Sequence, residues 1–147
     1  MKIYNPQFKN RILKHLERQY FMKHIGFTLD VIEPGRTEGW LRFEQMHQQQ
    51  TGFAHGGLVA TLADITAGFA AVTLVPADCN VVTGEIKISY LNPGIGDKLM
   101  AKGWVLKQGR KMNFCEAEVF CEQNNKQKII AKAIASIVSI FPEDLPR

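Results

Sequence analysis

Three residues that could take part in acyl-transfer chemistry lie close together in the middle of the chain. Gly56 and Gly57 precede a long apolar stretch that predicts a helix, and Asp64 lies within it. A helix N-terminus presents unpaired backbone N–H groups, and glycines there let a ligand approach them closely. Such donors can stabilise a carbonyl oxygen that gains negative charge. A carboxylate on a helix made for burial needs a reason, and the activation of water or direct nucleophilic attack would supply one.

Each of these residues also has a structural interpretation. Two glycines before a helix are typical of a tight turn, which explains them about as well as ligand binding does. Asp64 could be a structural carboxylate, hydrogen-bonded to a hydroxyl such as that of Thr61. His55, directly before the glycines, is more typical of a packed or hydrogen-bonded histidine than of a general base. Its spacing to the other histidines does not match a metal site, so we expect no metal.

The composition is that of an ordinary soluble globular protein. Its 147 residues fit a single domain spanning 1–147, and 46% of them are apolar. The net charge of +4 suits an anionic partner, but no run of Lys or Arg marks a nucleic-acid-binding arm. The three cysteines contain no CxxC pair, which indicates reduced thiols and neither a disulfide framework nor a zinc site. The N-terminal segment lacks the apolar core of a signal peptide, so we expect a cytoplasmic protein. We also expect no cofactor.

The elements that must position these residues follow from periodicity and turn signals. Asn5-Pro6 predicts a helix start, with an end between Tyr20 and Gly26. Residues 27–43 predict a hairpin around the turn Glu33–Arg36, and 44–51 a loop. The stretch from Gly56 to about Leu74 predicts a helix that is enclosed on all sides and ended by Pro76. The charge of Asp64 within this stretch argues against a membrane span. Four antiparallel strands are expected after it, at 85–91, 98–106, 113–122 and 128–140.

This order of elements predicts an α+β fold in which one antiparallel sheet wraps around a central helix. A single small sheet has two edge strands with unpaired backbone groups, and edges need covering. Pairing with a second copy would cover one of them, so we expect at least a homodimer.

Two segments resemble those of a known enzyme family. His55-Gly56-Gly57 is followed by an acid nine residues after the histidine, on an apolar helix, and the strand from Thr83 to Pro93 ends in a proline turn. This combination resembles the hotdog-fold acyl-CoA thioesterases over about residues 40–140. The most similar branch is the phenylacetate-pathway (PaaI-like) type, which includes animal acyl-CoA thioesterases of similar length.

The resemblance implies a hotdog fold and a role for each matching residue. The backbone N–H of Gly56 corresponds to the oxyanion donor. Gln49, six residues before the histidine, corresponds to the side chain that contacts the thioester carbonyl; many members of this branch have Asn there, and a related branch has Gln. Asp64 corresponds to the catalytic carboxylate, supplied by the subunit opposite the donor. Thr83 corresponds to the hydroxyl residue that positions water, where the animal branch has Ser.

The resemblance also implies an acyl-CoA substrate and a homodimer, or a homotetramer built as a dimer of dimers. Basic residues near a turn between strands bind CoA in the family, and Arg110 and Lys111 are the candidates here. Solvated surface charge is the alternative for both. Phe53, Leu58 and Phe69 could line an acyl pocket, although no residue specifies the acyl group.

Two other functions compete with thioester hydrolysis. A non-catalytic acyl-CoA-binding protein could share the fold, but such regulators usually carry a DNA-binding domain, and residues 1–25 are too short for a helix-turn-helix module. A hotdog dehydratase would place its histidine and acid differently. The sequence therefore favours hydrolysis of an acyl-CoA thioester, with Asp64 acting as general base or as nucleophile.

Overall fold

The computed structural model describes residues 1–145 as three helices and one six-stranded sheet. The helices are α1 (Phe8–Glu17), α2 (Tyr20–Ile25) and α3 (Gly56–Val72), with short 3-10 turns at Gln45–His47 and Pro142–Asp144. The strands are β1 (Thr28–Glu33), β2 (Arg36–Arg42), β3 (Asn80–Tyr90), β4 (Lys98–Lys107), β5 (Met112–Gln123) and β6 (Lys126–Ile140). Every paired strand is antiparallel, in the order β1-β2-β4-β5-β6-β3. The predicted sheet around a central helix is confirmed.

The N-terminal helix differs from its prediction in two ways. It begins at Phe8 and not at Pro6, because the Asn5 carbonyl accepts from the Phe8 N–H (3.0 Å) in a preceding turn. It is also two helices. The Gln19 N–H bonds to the Leu16 carbonyl (3.2 Å), a three-residue spacing that ends α1 before α2 begins. Gly26 then closes α2 in the left-handed conformation at φ 74°, as glycine allows without strain.

Strand β3 begins five residues earlier than predicted. The pairing of β3 with β6 shifts register between Thr83 and Glu85, which marks a β-bulge at Gly84. A bulge breaks the two-residue alternation of side chains, so the sequence pattern was regular only from Glu85 onwards. The hairpin around Pro34-Gly35 and the other three strands lie within two residues of their predicted bounds.

The core lies between α3 and one face of the sheet. Leu62, Ala63 and Ala67 of α3 have no exposed surface. Gly103 of β4 allows the close approach, since a Cβ there would lie 2.4 Å from the backbone of Thr66. The buried Thr37 hydroxyl of β2 donates to the Thr66 carbonyl (2.7 Å). These contacts fix the position of α3 on the sheet, and with it the position of Asp64.

The prediction that α3 is enclosed on all sides is wrong for this chain alone. Gly57, Thr61, Asp64, Ile65 and Gly68 follow one another at helical spacing and keep accessible surface. The helix also ends at Val72, before Pro76, where the Leu74 N–H bonds to the Ala71 carbonyl (3.0 Å) at a three-residue spacing. An apolar helix with one uncovered stripe is what a contact with a second subunit would require.

Strand β3 is the edge of the sheet nearest that stripe, and most of its eleven residues are exposed. The opposite edge, β1, has six residues and an irregularity between Leu29 and Val31. The three cysteines are buried, in agreement with the predicted core thiols. Among residues 1–145, no helix is long and apolar enough to cross a bilayer.

Candidate active site

Asp64 and Thr83 meet in an open cleft beside α3. The Thr83 hydroxyl donates to Asp64 Oδ1 at 2.6 Å, which joins the middle of α3 to strand β3. The cleft has a volume of about 410 Å³ and is lined by both residues. Within residues 1–145, Asp64 forms no ion pair, so its charge is not neutralised by a cation. The carboxylate predicted from the sequence is therefore accessible, oriented by one hydroxyl, and available to a ligand.

Gly56 lies in a second place, at the N-terminus of α3 under the ring of Tyr90. The Tyr90 hydroxyl donates to the Gly56 carbonyl (2.8 Å), and a Cβ on Gly56 would be 3.4 Å from the ring. No backbone acceptor for the Gly56 N–H is found within residues 1–145. That N–H is the free donor predicted for a carbonyl oxygen.

Gln49 lines a groove of about 320 Å³ together with Phe53 and Tyr90, the tyrosine that contacts Gly56. Its side-chain oxygen accepts from the Thr51 N–H (2.5 Å) and hydroxyl (2.8 Å). These two contacts hold the amide with its oxygen turned into the loop. The side-chain NH₂ of Gln49 has no acceptor within the described part of the chain, so it is free to donate to a ligand.

His55 caps α3. Its Nδ1 accepts from the Gly57 N–H at 2.9 Å, and a Cβ on Gly57 would lie 3.1 Å from the same nitrogen. Gly57 therefore leaves room for the imidazole, and its N–H is already engaged. The cap satisfies one of the helix's unpaired donors, which is the structural interpretation of His55. With Nδ1 accepting, a neutral His55 carries its proton on Nε2.

The structure does not bring the two groups of predicted residues together within one chain. Asp64 and Thr83 lie in one cleft, whereas Gln49 and Gly56 lie at the start of the helix. Eight residues separate Gly56 from Asp64, which is about 12 Å along the helix axis. The predicted site residues of one chain thus fall into two separate groups, which we call the donor half and the carboxylate half.

Arg110 and Lys111 lie in a third place, the turn between β4 and β5. Lys111 Nζ is 2.6 Å from an Asp144 carboxylate oxygen, and the cations of both basic residues lie over the Phe141 ring. The hydrogen bond from Lys111 lowers the pKa of the Asp144 carboxyl below its ordinary value. Lys111 is therefore already paired with an acid, whereas Arg110 forms no ion pair within residues 1–145.

Two further features of the site were not predicted. Tyr90 was recognised only as a strand residue, yet its hydroxyl holds the first residue of α3. The wall of the Asp64 cleft also includes Arg11, His15 and Gln19 from the N-terminal region. Their four-residue spacing on a predicted helix was a usable signal. Among residues 1–145, no group of three His, Cys, Asp or Glu side chains is placed to hold a metal ion.

Comparison with known sequences shows which protein family the chain resembles. Residues 51–128 match the family described as the Thioesterase superfamily. Acyl-coenzyme A thioesterase 13 of Homo sapiens is 29% identical over 101 residues, which are 67% of this chain and 71% of that protein.

Solved structures of thioesterase family proteins have the same fold as this chain. A thioesterase family protein from Silicibacter pomeroyi superposes with a TM-score of 0.89 at 28% identity, over 91% of this chain and 98% of that one. The PaaI protein from the phenylacetic acid degradation operon of E. coli superposes with a TM-score of 0.82 at 20% identity, over 93% of this chain and 96% of that one. The latter likeness concerns the fold alone, and it supports the predicted hotdog arrangement.

Proposed function

The chain belongs to the thioesterase superfamily, and on that premise we propose that it hydrolyses acyl-CoA thioesters to the free acid and CoA. The observation that carries the proposal is the contact between Thr83 and Asp64 in an open cleft. A carboxylate with an adjacent hydroxyl can hold and activate one water molecule. The relatives named as acyl-CoA thioesterases support CoA as the leaving group.

The direction of the Thr83–Asp64 hydrogen bond determines how a water would be held. Thr83 already donates its only proton to Asp64, so its oxygen can only accept from a water. The water would donate one proton to Thr83 and the other to the free oxygen of Asp64. A lone pair of the water then remains for the carbonyl carbon. Thr83 would thus orient both the base and the nucleophile.

The oxyanion would be stabilised by the other half-site. The Gly56 N–H and the Gln49 NH₂ are the two free donors there, and donors of this kind act on charge as it develops. Since about 12 Å separates Gly56 from Asp64 along the helix, a thioester would contact both only if they came from different chains. We therefore propose a homodimer in which each subunit supplies one half of each site.

The exposed edge of β3 suggests how two chains would meet. Thr83 contacts the carboxylate half, Tyr90 contacts the donor half, and the two are seven residues apart on this strand. Antiparallel pairing of two β3 strands about an axis at Lys87 would set Thr83 opposite Tyr90 of the partner subunit, because the bulge at Gly84 takes one residue out of the register. Directly opposed residues lie about 5 Å apart, which would unite the two halves. The uncovered stripe of α3 would lie at the same contact.

The reaction then proceeds in two steps. The water oxygen forms a bond to the carbonyl carbon while its proton passes to Asp64, and the negative charge on the carbonyl oxygen is held by Gly56 and Gln49. The C=O bond re-forms, the C–S bond breaks, and the CoA thiolate takes the proton from Asp64. Alternatively, Asp64 attacks directly, CoA leaves, and water hydrolyses the resulting anhydride. Label from heavy-oxygen water appears in Asp64 after one turnover only by the anhydride route.

The remaining predicted residues have smaller roles. His55 would act through its cap, which fixes the first turn of α3, and Gly57 would give the imidazole its room. Arg110 would meet a CoA phosphate, whereas Lys111 would have to leave Asp144 to do so. We also propose one domain over 1–147, a cytoplasmic location, and a homodimer or a homotetramer built as a dimer of dimers.

The experiment that tests this function is a turnover assay with a thiol-reactive dye and a panel of acyl-CoAs. The molecular mass of the protein in solution is measured by light scattering on the same sample. Release of CoA by a dimer or tetramer, abolished by Asp64→Asn, is the expected result. Binding of acyl-CoA without release would identify a non-catalytic acyl-CoA-binding protein and refute the hydrolase. A monomer with full activity would refute the shared site alone.

A further inference from the structure

The cleft that holds Asp64 has one wall that the hydrolytic chemistry does not use. Arg11, His15 and Gln19 line it at four-residue intervals, from α1 and the residues that follow it. The cleft is also lined by the apolar side chains of Ile65 and Phe69 from α3. Polar groups in a mostly apolar ligand cleft usually fix the orientation of a ligand and give specificity, so the polar wall is a candidate contact for a polar group on the ligand.

Arg11 is the fixed centre of this polar wall. Its Nη1 donates to the Pro76 carbonyl (2.8 Å), and its Nη2 donates to the Cys79 carbonyl and to Asn80 Oδ1 (3.3 Å). The Nε–H and the second hydrogen on Nη1 have no acceptor within residues 1–145. The guanidinium is thus held in place by backbone carbonyls while two of its five donors stay free.

The positive charge of Arg11 is not neutralised by an ion pair. Within residues 1–145, no carboxylate forms a salt bridge with it. Burial lowers the pKa of Arg11 below its ordinary value, while Cys79 and Asp78 act in the opposite direction. The group nevertheless remains charged at neutral pH. A partly desolvated cation beside a ligand cleft is best satisfied by an anionic group on the ligand.

His15 and Gln19 extend the same wall with neutral groups. Burial, reinforced by Arg11 and Arg18, lowers the pKa of His15, so that its ring is uncharged at neutral pH and can donate one N–H. Neither side chain has a hydrogen-bond partner within the described residues. Both can therefore donate to the same ligand group as Arg11.

The positions along α3 give the order of contacts. Asp64 comes first, and Ile65, Gly68, Phe69 and Val72 line the cleft for about two further turns, roughly 12 Å along the helix axis. Methylene groups next to a thioester at Asp64 would lie against the apolar side chains. A terminal group beyond them would reach the polar wall.

We infer that this cleft recognises an acyl group with a carboxylate at its far end, so that the preferred substrates are CoA monothioesters of dicarboxylic acids. The inference rests on the proposed thioester hydrolysis and adds the substrate class. Arg11 binds the terminal carboxylate, and His15 and Gln19 complete its hydrogen bonds.

The test compares matched acyl chains that differ only in their terminal group. The values of kcat/KM are measured for succinyl-, adipoyl- and suberoyl-CoA beside butyryl-, hexanoyl- and octanoyl-CoA. We expect kcat/KM for at least one dicarboxylic thioester to exceed that for its monocarboxylic counterpart by about tenfold or more, because a hydrogen bond to a charged group contributes about that much to binding. The preference should weaken as salt is added, because screening reduces charge–charge attraction.

The variants separate recognition from folding. Arg11→Met should reduce this preference by about tenfold, and a smaller reduction is expected for His15→Leu combined with Gln19→Leu, which removes no contact to the Pro76 or Cys79 carbonyl. Lys14→Leu is the matched control, since Lys14 is exposed on the same helix and does not line the cleft. It should leave the preference unchanged. Should Arg11→Met unfold, the double variant and the salt series decide the question.

Three results would overturn the inference. Equal or better hydrolysis of the monocarboxylic thioesters would refute it while leaving Asp64-dependent hydrolysis intact. A uniform loss of activity in Arg11→Met, with the preference retained, would make Arg11 a clamp for the Pro76–Asn80 loop only. An absence of hydrolysis of every acyl-CoA by the parent protein would refute the proposed function, and this inference with it.

Discussion

The two half-sites on α3 are built by different kinds of contact. The donor half is held by several contacts, most of them between a side chain and the backbone: the His55 cap, the Tyr90 contact to the Gly56 carbonyl and the Thr51 contacts to Gln49 are all completed within one chain. The carboxylate half depends on a single side-chain contact between Asp64 and Thr83 at the open edge of the sheet. The donors are thus preformed in each chain, whereas in the proposed dimer the carboxylate would acquire its role only when the donor half of a second chain is brought to it.

The strongest way to test this difference is to remove the carboxylate alone. Asp64→Asn keeps the shape of the side chain and can still accept from Thr83, so the protein should fold and associate as before. The kcat on the best acyl-CoA should fall by roughly 10²–10⁴-fold, the usual contribution of a general base. The measurement is kcat beside a melting curve. Activity within about threefold of the parent, or an unfolded variant, would make Asp64 a structural residue.

Mixed dimers test whether the halves belong to different chains. An Asp64→Asn chain and a Gly56→Val chain should each be inactive alone, the second because a side chain there displaces Tyr90 from the donor. Purified mixed dimers with two different tags should recover about half of the parental activity, since one of their two sites has both intact halves. No recovery in verified mixed dimers would place both halves of a site in one chain.

The donor half should be sensitive to its cap and not to an imidazole as such. His55→Ala should lower the free energy of unfolding by about 1 kcal/mol through loss of the cap. His55→Asn, which can accept from the Gly57 N–H, should restore most of that stability and keep kcat near the parental value. Denaturant unfolding and steady-state rates measure the two effects. A collapse of kcat in a stable His55→Asn protein would assign the imidazole a chemical role.

The smallest effect is expected in the turn outside both halves. Arg110→Ala should raise KM a few-fold and weaken its dependence on salt, with kcat little changed, as expected for binding shared by ground and transition states. Lys111→Ala should change KM less, because Asp144 already neutralises Lys111. Equal KM values for Arg110→Ala and the parent at low salt would assign Arg110 to ordinary solvated surface.

The sequence predicted the parts of this comparison that depend on local patterns. The hairpin, the central helix and four strands were correct because their periodicity and turn residues are local. So was the nearness of Gly56 to a helix N-terminus. The bulge at Gly84 was missed because it interrupts the alternation on which strand prediction depends.

Tertiary contacts were harder to predict. The contact between Thr83 and Asp64 spans nineteen residues and was anticipated only as a pair of family roles. The pairing of Lys111 with Asp144 spans thirty-three residues and was not anticipated at all. The enclosure of α3 was overestimated because an apolar stripe looks the same in a sequence whether its own chain or a partner covers it.

The burial of the three cysteines affects how the protein behaves towards oxidants and thiol reagents. Burial raises the pKa of Cys79 and Cys121, and it raises that of Cys115 to about 12. Only the thiolate reacts readily with electrophiles, and very little thiolate forms at neutral pH under these conditions. The folded protein should therefore tolerate air without added reductant, and the colour from a thiol-reactive dye should come from released CoA with little background from the enzyme itself.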